Sequence, residues 1–354
     1  MEGFMIIGVF LRNFKTYTGI NYIPLTNGHS FCGLVGKNGI GKSSILEAFD
    51  SLFNNKDWNF NIIVKKSGIK TTRPHIVPVY LLDKNQVSED NFYLFEKISN
   101  YTWNIEQADI SPQNQIHFQH FKKQRDYFKE NNHPEQKFLI PLGLFYDGIH
   151  DGIPSLSIFN TKNLVEALSL QDTDTSKTQV SDEDLNRIFL PLYEEIKNTF
   201  EYIYIPKDID PERFTQLETR EIQSLMGEDL HEILEKIVPQ TQIKAINDNL
   251  NEFIDSLSSV LGEYSFRNSG QRRVNLRKND VYKLIIEAYF KIRKLHKQEG
   301  NSWLELNELS SGEKQKAIIE LAFQLLSQYR SKTDHLIIAI DEPESSLHMS
   351  ACHD

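Results

Sequence analysis

One run of eight residues constrains this chain more than any other. Gly36-Lys37-Asn38-Gly39-Ile40-Gly41-Lys42-Ser43 follows a short apolar segment, Phe31–Val35, and leads into Ser44 and apolar positions Ile45, Leu46, Phe49, Leu52 and Phe53. The apolar segment predicts a short buried strand, and the later spacing predicts an amphipathic helix over 43–53. A glycine loop between strand and helix lets backbone N–H groups converge on an anion, with the positive end of the helix behind them. Gly36, Gly39 and Gly41 keep side chains out of the way. Lys42 offers a mobile charge to β- and γ-phosphates, and Ser43 offers a hydroxyl to Mg²⁺. Lys37, Asn38, Ile40 and Ser44 complete the expected nucleotide-contacting set. The bland alternative is a glycine-rich turn with no ligand.

Two further segments carry chemistry of the same kind. His335-Leu-Ile-Ile-Ala-Ile-Asp341-Glu342-Pro343 is an apolar strand that ends in paired carboxylates and is stopped by proline. Asp341 is the candidate Mg²⁺ partner, and Glu342 the candidate base for an attacking water. Taken alone, such a pair is equally a solvated strand end. Leu309-Ser310-Ser311-Gly312-Glu313-Lys-Gln315 opens a helix with apolar positions Ala317, Ile318, Leu321, Ala322, Leu325 and Leu326. Ser310 or Ser311 serves as an N-cap there, with Glu313 in the first turn. The same exposed helix start suits a γ-phosphate brought by a second protomer.

Between these segments the pattern is less regular. Residues 5–12 and 19–25 predict paired strands joined by Asn13–Tyr17, and β-rich runs are expected at His75–Leu82, Asn91–Trp103, Lys137–Tyr146 and Phe200–Ile205. The segment 107–136, rich in Gln, Lys, Asn and His, predicts surface structure, and Gln171–Asp184 a mobile loop. Leu225, Leu230, Ile233, Leu234 and Ile237 form one apolar stripe; Ile246, Leu250, Phe253, Ile254, Leu257 and Leu261 form another beyond Pro239, which predicts a helical hairpin. A strand at Glu263–Leu276 and a helix at Asp280–Gln298 are expected next.

Composition bounds the function classes. The 354 residues are 39% hydrophobic and 25% charged, as in a soluble globular chain large enough for two lobes. A net charge of −10 argues against coating nucleic acid with the whole surface. Cys32 and Cys352 are the only cysteines, so a disulfide scaffold is not expected, and no apolar run reaches spanning length. A cytoplasmic protein with no membrane contact is the expectation.

The order of the three motifs resembles that of ABC-type ATPases. Leu11-Arg-Asn-Phe-Lys15 followed by Gly36–Ala48 is similar to the SMC/RecF branch and unlike membrane transporters. Asp341-Glu-Pro-Glu-Ser-Ser-Leu-His348 narrows the resemblance to OLD-type and other stand-alone ATPases of prokaryotic anti-phage systems, including the PtuA and PARIS AriA types. It is sharp over about residues 5–53 and 305–348, with Tyr202-Ile-Tyr-Ile-Pro206 matching a core strand. The resemblance implies an α/β fold: an ABC-type P-loop NTPase head with a mixed or parallel core sheet, an antiparallel β subdomain and an inserted helical lobe. The domains expected are 1–206 (N-terminal ATPase lobe with its β-rich insertion), 207–300 (helical lobe) and 301–354 (signature, carboxylate strand and D-loop). ATP and Mg²⁺ are the implied ligands. Ser310 and Gly312 would touch ATP across a homodimer or larger homo-oligomer, and an effector protein is the implied partner. Arg12, Asn13 and Lys15 match positions near the nucleotide, or form a strand-end charge cluster. The glutamine that senses the γ-phosphate has no assignable position, Gln86 and Gln216 being unsupported. Family members carry a further helix and strand with a histidine; His348 and His353 do not replace it, which implies a core that continues past residue 354.

A local basic group, Arg267, Arg272, Arg273 and Arg277 with Lys278 and lysines up to Lys297, suggests contact with nucleic-acid phosphates or an acidic partner. The alternative is a solvated face paired with the acidic 217–235 segment. Three functions remain on these grounds: an anti-phage sensor or scaffold ATPase, a RecF/SMC-like DNA repair or recombination ATPase, and an ATP-gated scaffold that does not hydrolyse.

Overall fold

The apolar run at the start of the chain becomes an interior strand of the larger sheet. The computed structural model describes residues 4–131, 133–147, 152–168, 179–207, 230–260, 275–290, 294–328 and 335–343. It is a mixed α/β structure that divides into two units, Met1–Pro206 with Thr333–Asp341, and Lys207–Lys332 with Glu342–Asp354.

In the first unit, β1 (Met5–Arg12) is buried from Ile6 to Leu11. It pairs antiparallel with β2 (Ile20–Pro24) on one side and with β3 (His75–Asp83) on the other, Arg12 standing opposite both Ile20 and His75. β4 (Lys137–Pro141) and β5 (Gly143–Phe145) pair antiparallel with β3, and β6 (Ile153–Ser155) closes the six-stranded sheet beyond β5. A separate parallel pair joins β7 (Phe200–Ile205) to β10 (His335–Ile340), in register from Phe200–His335 to Ile205–Ile340.

Helices cover the six-stranded sheet, so β1 and β3 read as continuous apolar runs rather than alternating ones. α1 (Lys42–Phe53) buries Ile45, Ala48, Phe49, Leu52 and Phe53 at helical spacing. Two short helices, α2 (Ile62–Ser67) and α3 (Ile69–Thr72), lead to β3. The Phe10 ring meets Tyr22, Phe159 and Phe121 at centroid distances of 4.6, 5.5 and 6.1 Å. Each such buried side chain contributes about 1.5–3 kcal/mol relative to exposure.

Several expectations change. Asn91–Trp103, expected as a β-run, is the core of helix α4 (Glu89–Asn104). Its β-favouring composition hides a helical period: Phe95, Ile98, Ser99, Thr102 and Trp103 are buried, and Glu89 and Asp90 suit the positive first turn. The polar 107–136 segment contains α5 (Gln115–Glu130), which buries Phe118, Phe121 and Phe128 together with Gln124 and Arg125. The Arg125 guanidinium donates to Ile105 O at 2.5 Å and pairs with Glu106 and Asp126, so its burial is compensated. Phe31–Val35 forms no strand. Among the described residues nothing pairs with it, and Phe31 and Val35 are 83% and 95% exposed. α6 (His133–Gln136) and α7 (Lys162–Ala167) are short. Residues 171–178 of the expected loop lie outside the described residues; its end is not loop, since Ser181 caps α8 (Asp182–Thr199) and Asp182–Asp184 form the first turn.

In the second unit, α9 (Leu230–Ile237) and α10 (Gln240–Val260) flank Pro239 as expected. Leu225 and the expected strand through residue 274 lie outside the described residues. α11 (Lys278–Phe290) is shorter than expected, and a hairpin follows, β8 (His296–Glu299) with β9 (Ser302–Glu305), turned by Gly300 at φ 61°. Ile243, Val281 and Tyr282 form a small core with Leu234 and Val238. Of the second apolar stripe, Ile246, Leu250 and Phe253 are exposed. α12 (Ser311–Gln328) carries the motif helix.

Candidate nucleotide site

The turn after β1 is folded by Asn13, whose side chain donates to Thr72 O at 3.0 Å and accepts from the Gly19 N–H at 2.8 Å. Its φ of 55° and that of Lys15, 46°, bend the chain under the glycine loop. Lys15 pairs with Glu47 of α1. Thr16 Oγ1 lies 3.4 Å from Ser44 Oγ, and Tyr17 donates to Gly41 O at 3.3 Å. Gly41 itself has φ 107°, and a Cβ there would stand 2.6 Å from Thr16 Oγ1. Only glycine fits this approach.

Gly41 precedes α1 without a side-chain cap, and no acidic residue occupies the first turn. The helix therefore presents uncapped N–H groups and positive potential at the loop. Gly36, Lys37, Asn38, Gly39 and Ile40 are exposed, and Gly39 takes φ 79°. Lys42 Nζ donates to Gly36 O at 2.9 Å and to Lys37 O at 3.4 Å, curling over the loop it is expected to serve.

Ser43 and Asp341 meet across 298 positions of sequence. Ser43 Oγ donates to Asp341 Oδ1 at 2.9 Å, and Asp341 is buried. The Asp341 N–H continues the β7–β10 ladder by donating to Ile205 O at 3.0 Å, which fixes the carboxylate at the strand end. Tyr204 donates to Oδ2 at 3.5 Å, and its phenol pKa is pushed up, by burial first and then by Asp341. A hydroxyl beside a buried carboxylate is an all-oxygen donor pair of the kind Mg²⁺ takes, phosphate oxygens and water being its usual other ligands. The residues fit the ion.

In the second unit Glu342 adopts φ 44°, a strained value for a non-glycine residue. Its carboxylate pairs with Lys207 Nζ at 2.6 Å, and its carbonyl accepts from Gln315 Nε2 of α12 at 3.4 Å. Ser310 caps α12: its N–H and hydroxyl donate to Glu313 Oε2 at 3.1 and 2.8 Å, and its oxygen accepts from the Glu313 N–H at 3.4 Å. Lys297 of β8 lies 2.9 Å from Glu313 Oε1. Lys297 first, then Ser310, hold the Glu313 carboxyl down at about 2. Ser310 is exposed, and Gly312 sits in the first turn behind it.

Other candidates take different places. Arg12 lies beside His75 across the strands, and His75 accepts or donates at 3.0 Å with Ser157. Burial, then Arg12 and Arg73, depress the His75 pKa to about 3, so it is neutral. Gln86 ends an exposed 3₁₀ turn, and Gln216, Arg267, Arg272, Arg273, His348 and His353 lie outside the described residues. Arg277 is exposed, with its N–H on Asp280 at 3.0 Å. Thr16, Tyr17, Tyr204, Lys207 and Gln315 had no sequence assignment.

An α/β fold with a glycine loop at a helix start and a carboxylate at a strand end defines the class. A family model described as AAA ATPase domain matches residues 5–353, and the chain belongs to that family. No curated protein matches it. No helix among the described residues is long and apolar enough to cross a membrane.

Proposed function

We propose that this chain binds ATP with Mg²⁺ and hydrolyses it, in sites completed by a second copy of itself. The observation that carries the reading is the 2.9 Å contact between Ser43 and Asp341, which joins the glycine loop to the carboxylate strand. Gly36 through Ser44 cradle the phosphates, and Lys42 exchanges its loop carbonyls for phosphate oxygens. Ser43 and Asp341 would hold Mg²⁺, whose charge offsets the charge developing on the transferred phosphoryl group. Glu342 accepts a proton from the attacking water as its oxygen bonds to the γ-phosphorus and ADP leaves with the electron pair of the broken P–O bond. Ser310 and Gly312 of the second protomer meet the γ-phosphate, so ATP favours the closed pair and hydrolysis releases it.

The setting that fits the Asp341–His348 sequence is a cytoplasmic sensor or scaffold in anti-phage defence, holding or releasing an effector protein. That setting rests on resemblance. A second reading, an ATP-gated scaffold of low turnover, draws on the Lys207–Glu342 ion pair, which engages the base carboxylate. Phosphate release from the wild type, Lys42→Ala and Lys207→Ala separates the two. Mg²⁺-dependent turnover lost in Lys42→Ala supports hydrolysis. Negligible wild-type turnover that rises in Lys207→Ala supports the scaffold. Neither turnover nor ATP binding in any of the three would refute both.

A further inference from the structure

The position of Tyr204 follows from strand pairing. It stands opposite Ala339 in the parallel β7–β10 pair, and Asp341 follows two residues after Ala339. Residues two apart share a face of a strand, which brings the phenol to the Asp341 carboxylate. The two carboxylate oxygens are thereby divided: Oδ1 takes the Ser43 hydroxyl at 2.9 Å and Oδ2 the Tyr204 hydroxyl at 3.5 Å. Tyr202, on the same face of β7, donates to Leu46 O of α1 at 2.8 Å. One strand therefore sets both the helix behind the glycine loop and the orientation of the carboxylate.

We infer that Tyr204 is a positioning residue that sets metal specificity, by holding the Asp341 carboxylate with Oδ1 turned towards Ser43 and Oδ2 turned towards the phenol, so that an ion beside Ser43 meets one oxygen first. Mg²⁺ keeps several waters and takes one or two carboxylate oxygens in octahedral geometry, whereas Ca²⁺ accommodates six to eight oxygens and accepts both from one carboxylate. A carboxylate held with one oxygen facing the ion suits the smaller one. The 3.5 Å hydroxyl bond is long, so its removal is expected to act severalfold, not by orders of magnitude. Leucine removes the ring as well as the hydroxyl, so it frees the carboxylate to turn further than phenylalanine does.

The inference rests on the nucleotide-binding reading above, and the test separates the two. A fluorescent ATP analogue carrying a methylanthraniloyl group is titrated with the full chain in EDTA, in Mg²⁺ and in Ca²⁺. The wild type is expected to bind more tightly with Mg²⁺ than with Ca²⁺. Tyr204→Phe narrows that ratio by about threefold, and Tyr204→Leu narrows it more, while binding in EDTA is unchanged. Tyr202→Phe, which loses the bond to α1 instead, keeps the wild-type ratio and controls for general loosening of β7. An unchanged ratio in folded Tyr204→Phe and Tyr204→Leu overturns the inference, as does an equal loss of preference in Tyr202→Phe. Wild-type binding with no metal preference overturns it and leaves the nucleotide reading standing. No binding by the wild type under any condition overturns both.

Discussion

Replacing Gly41 with alanine tests the loop geometry at its tightest point. The added Cβ would stand 2.6 Å from Thr16 Oγ1 and 3.0 Å from the Tyr17 ring, at φ 107°. Two costs add. Holding a residue with a Cβ at that backbone conformation costs about 1–3 kcal/mol, and overpacking against Thr16 and Tyr17 costs about 1–3 kcal/mol more. The substitution needs no contact with a ligand to act, because the turn from Asn13 to Tyr17 lies under the loop. Urea unfolding should show the loss, and titration with the fluorescent ATP analogue should show weaker binding as the loop is pushed from its place. Combining Gly41→Ala with Thr16→Ala removes one clash but not the backbone strain or the Tyr17 contact. The double variant should therefore recover only part of the stability. Wild-type stability and nucleotide affinity in Gly41→Ala would mean that the loop is not constrained at this glycine, and full recovery in the double variant would show that the backbone conformation costs nothing.

Other outcomes follow from the same structure. His75 has its pKa lowered from 6.5 to about 3 by burial and by Arg12 and Arg73. A depressed histidine leaves the unfolded chain holding more protons below pH 6.5, so its contribution is complete above that pH and lost as pH falls towards 3. The loss is up to about 1.4 kcal/mol per pH unit, and His75→Gln should flatten the acid limb of a urea-midpoint profile; an unchanged slope contradicts it. Arg125→Ala strips Ile105 O of its buried donor, while Glu106, half-exposed, keeps Lys122, and should cost about 1–3 kcal/mol in urea unfolding. Mixing Lys42→Ala with Ser310→Arg, each inactive alone, should restore phosphate release if sites are shared between copies; no restoration contradicts sharing. Charge reversal at Arg272 and Arg273 should flatten the salt dependence of any nucleic-acid binding measured by fluorescence anisotropy.

What the sequence disclosed depended on how local the physics was. β1, α1 and β10 are set by their own apolar spacing, and the glycine loop is followed by the helix its chemistry requires. α4 was concealed because Phe92, Tyr93 and Trp103 favour strands by composition, and only their three-and-four spacing shows which face is buried. α5 was concealed because Gln124 and Arg125 are polar side chains that the fold buries with partners far along the chain, Tyr22 and Ile7 O for one and Ile105 O for the other. In the candidate site, Ser43 and Asp341 were readable as candidates because a hydroxyl after a glycine loop and a carboxylate at a strand end stand out by residue type, and the fold brings the two within 2.9 Å. Tyr204 and Lys207 were not, since a phenol and an amine acquire a role only from strand register and the turn of the backbone at Glu342.

The proposed function turns on ATP hydrolysis through Asp341, Glu342 and the glycine loop. Phosphate release and nucleotide retention by wild type and Glu342→Gln, with mass measured in the same samples, test it most directly. Hydrolysis through this site gives Mg²⁺-dependent release by the wild type, and in Glu342→Gln no release, retained ATP and accumulated ATP-bound oligomers. Undiminished release by Glu342→Gln, or a wild type that retains no nucleotide, would contradict it.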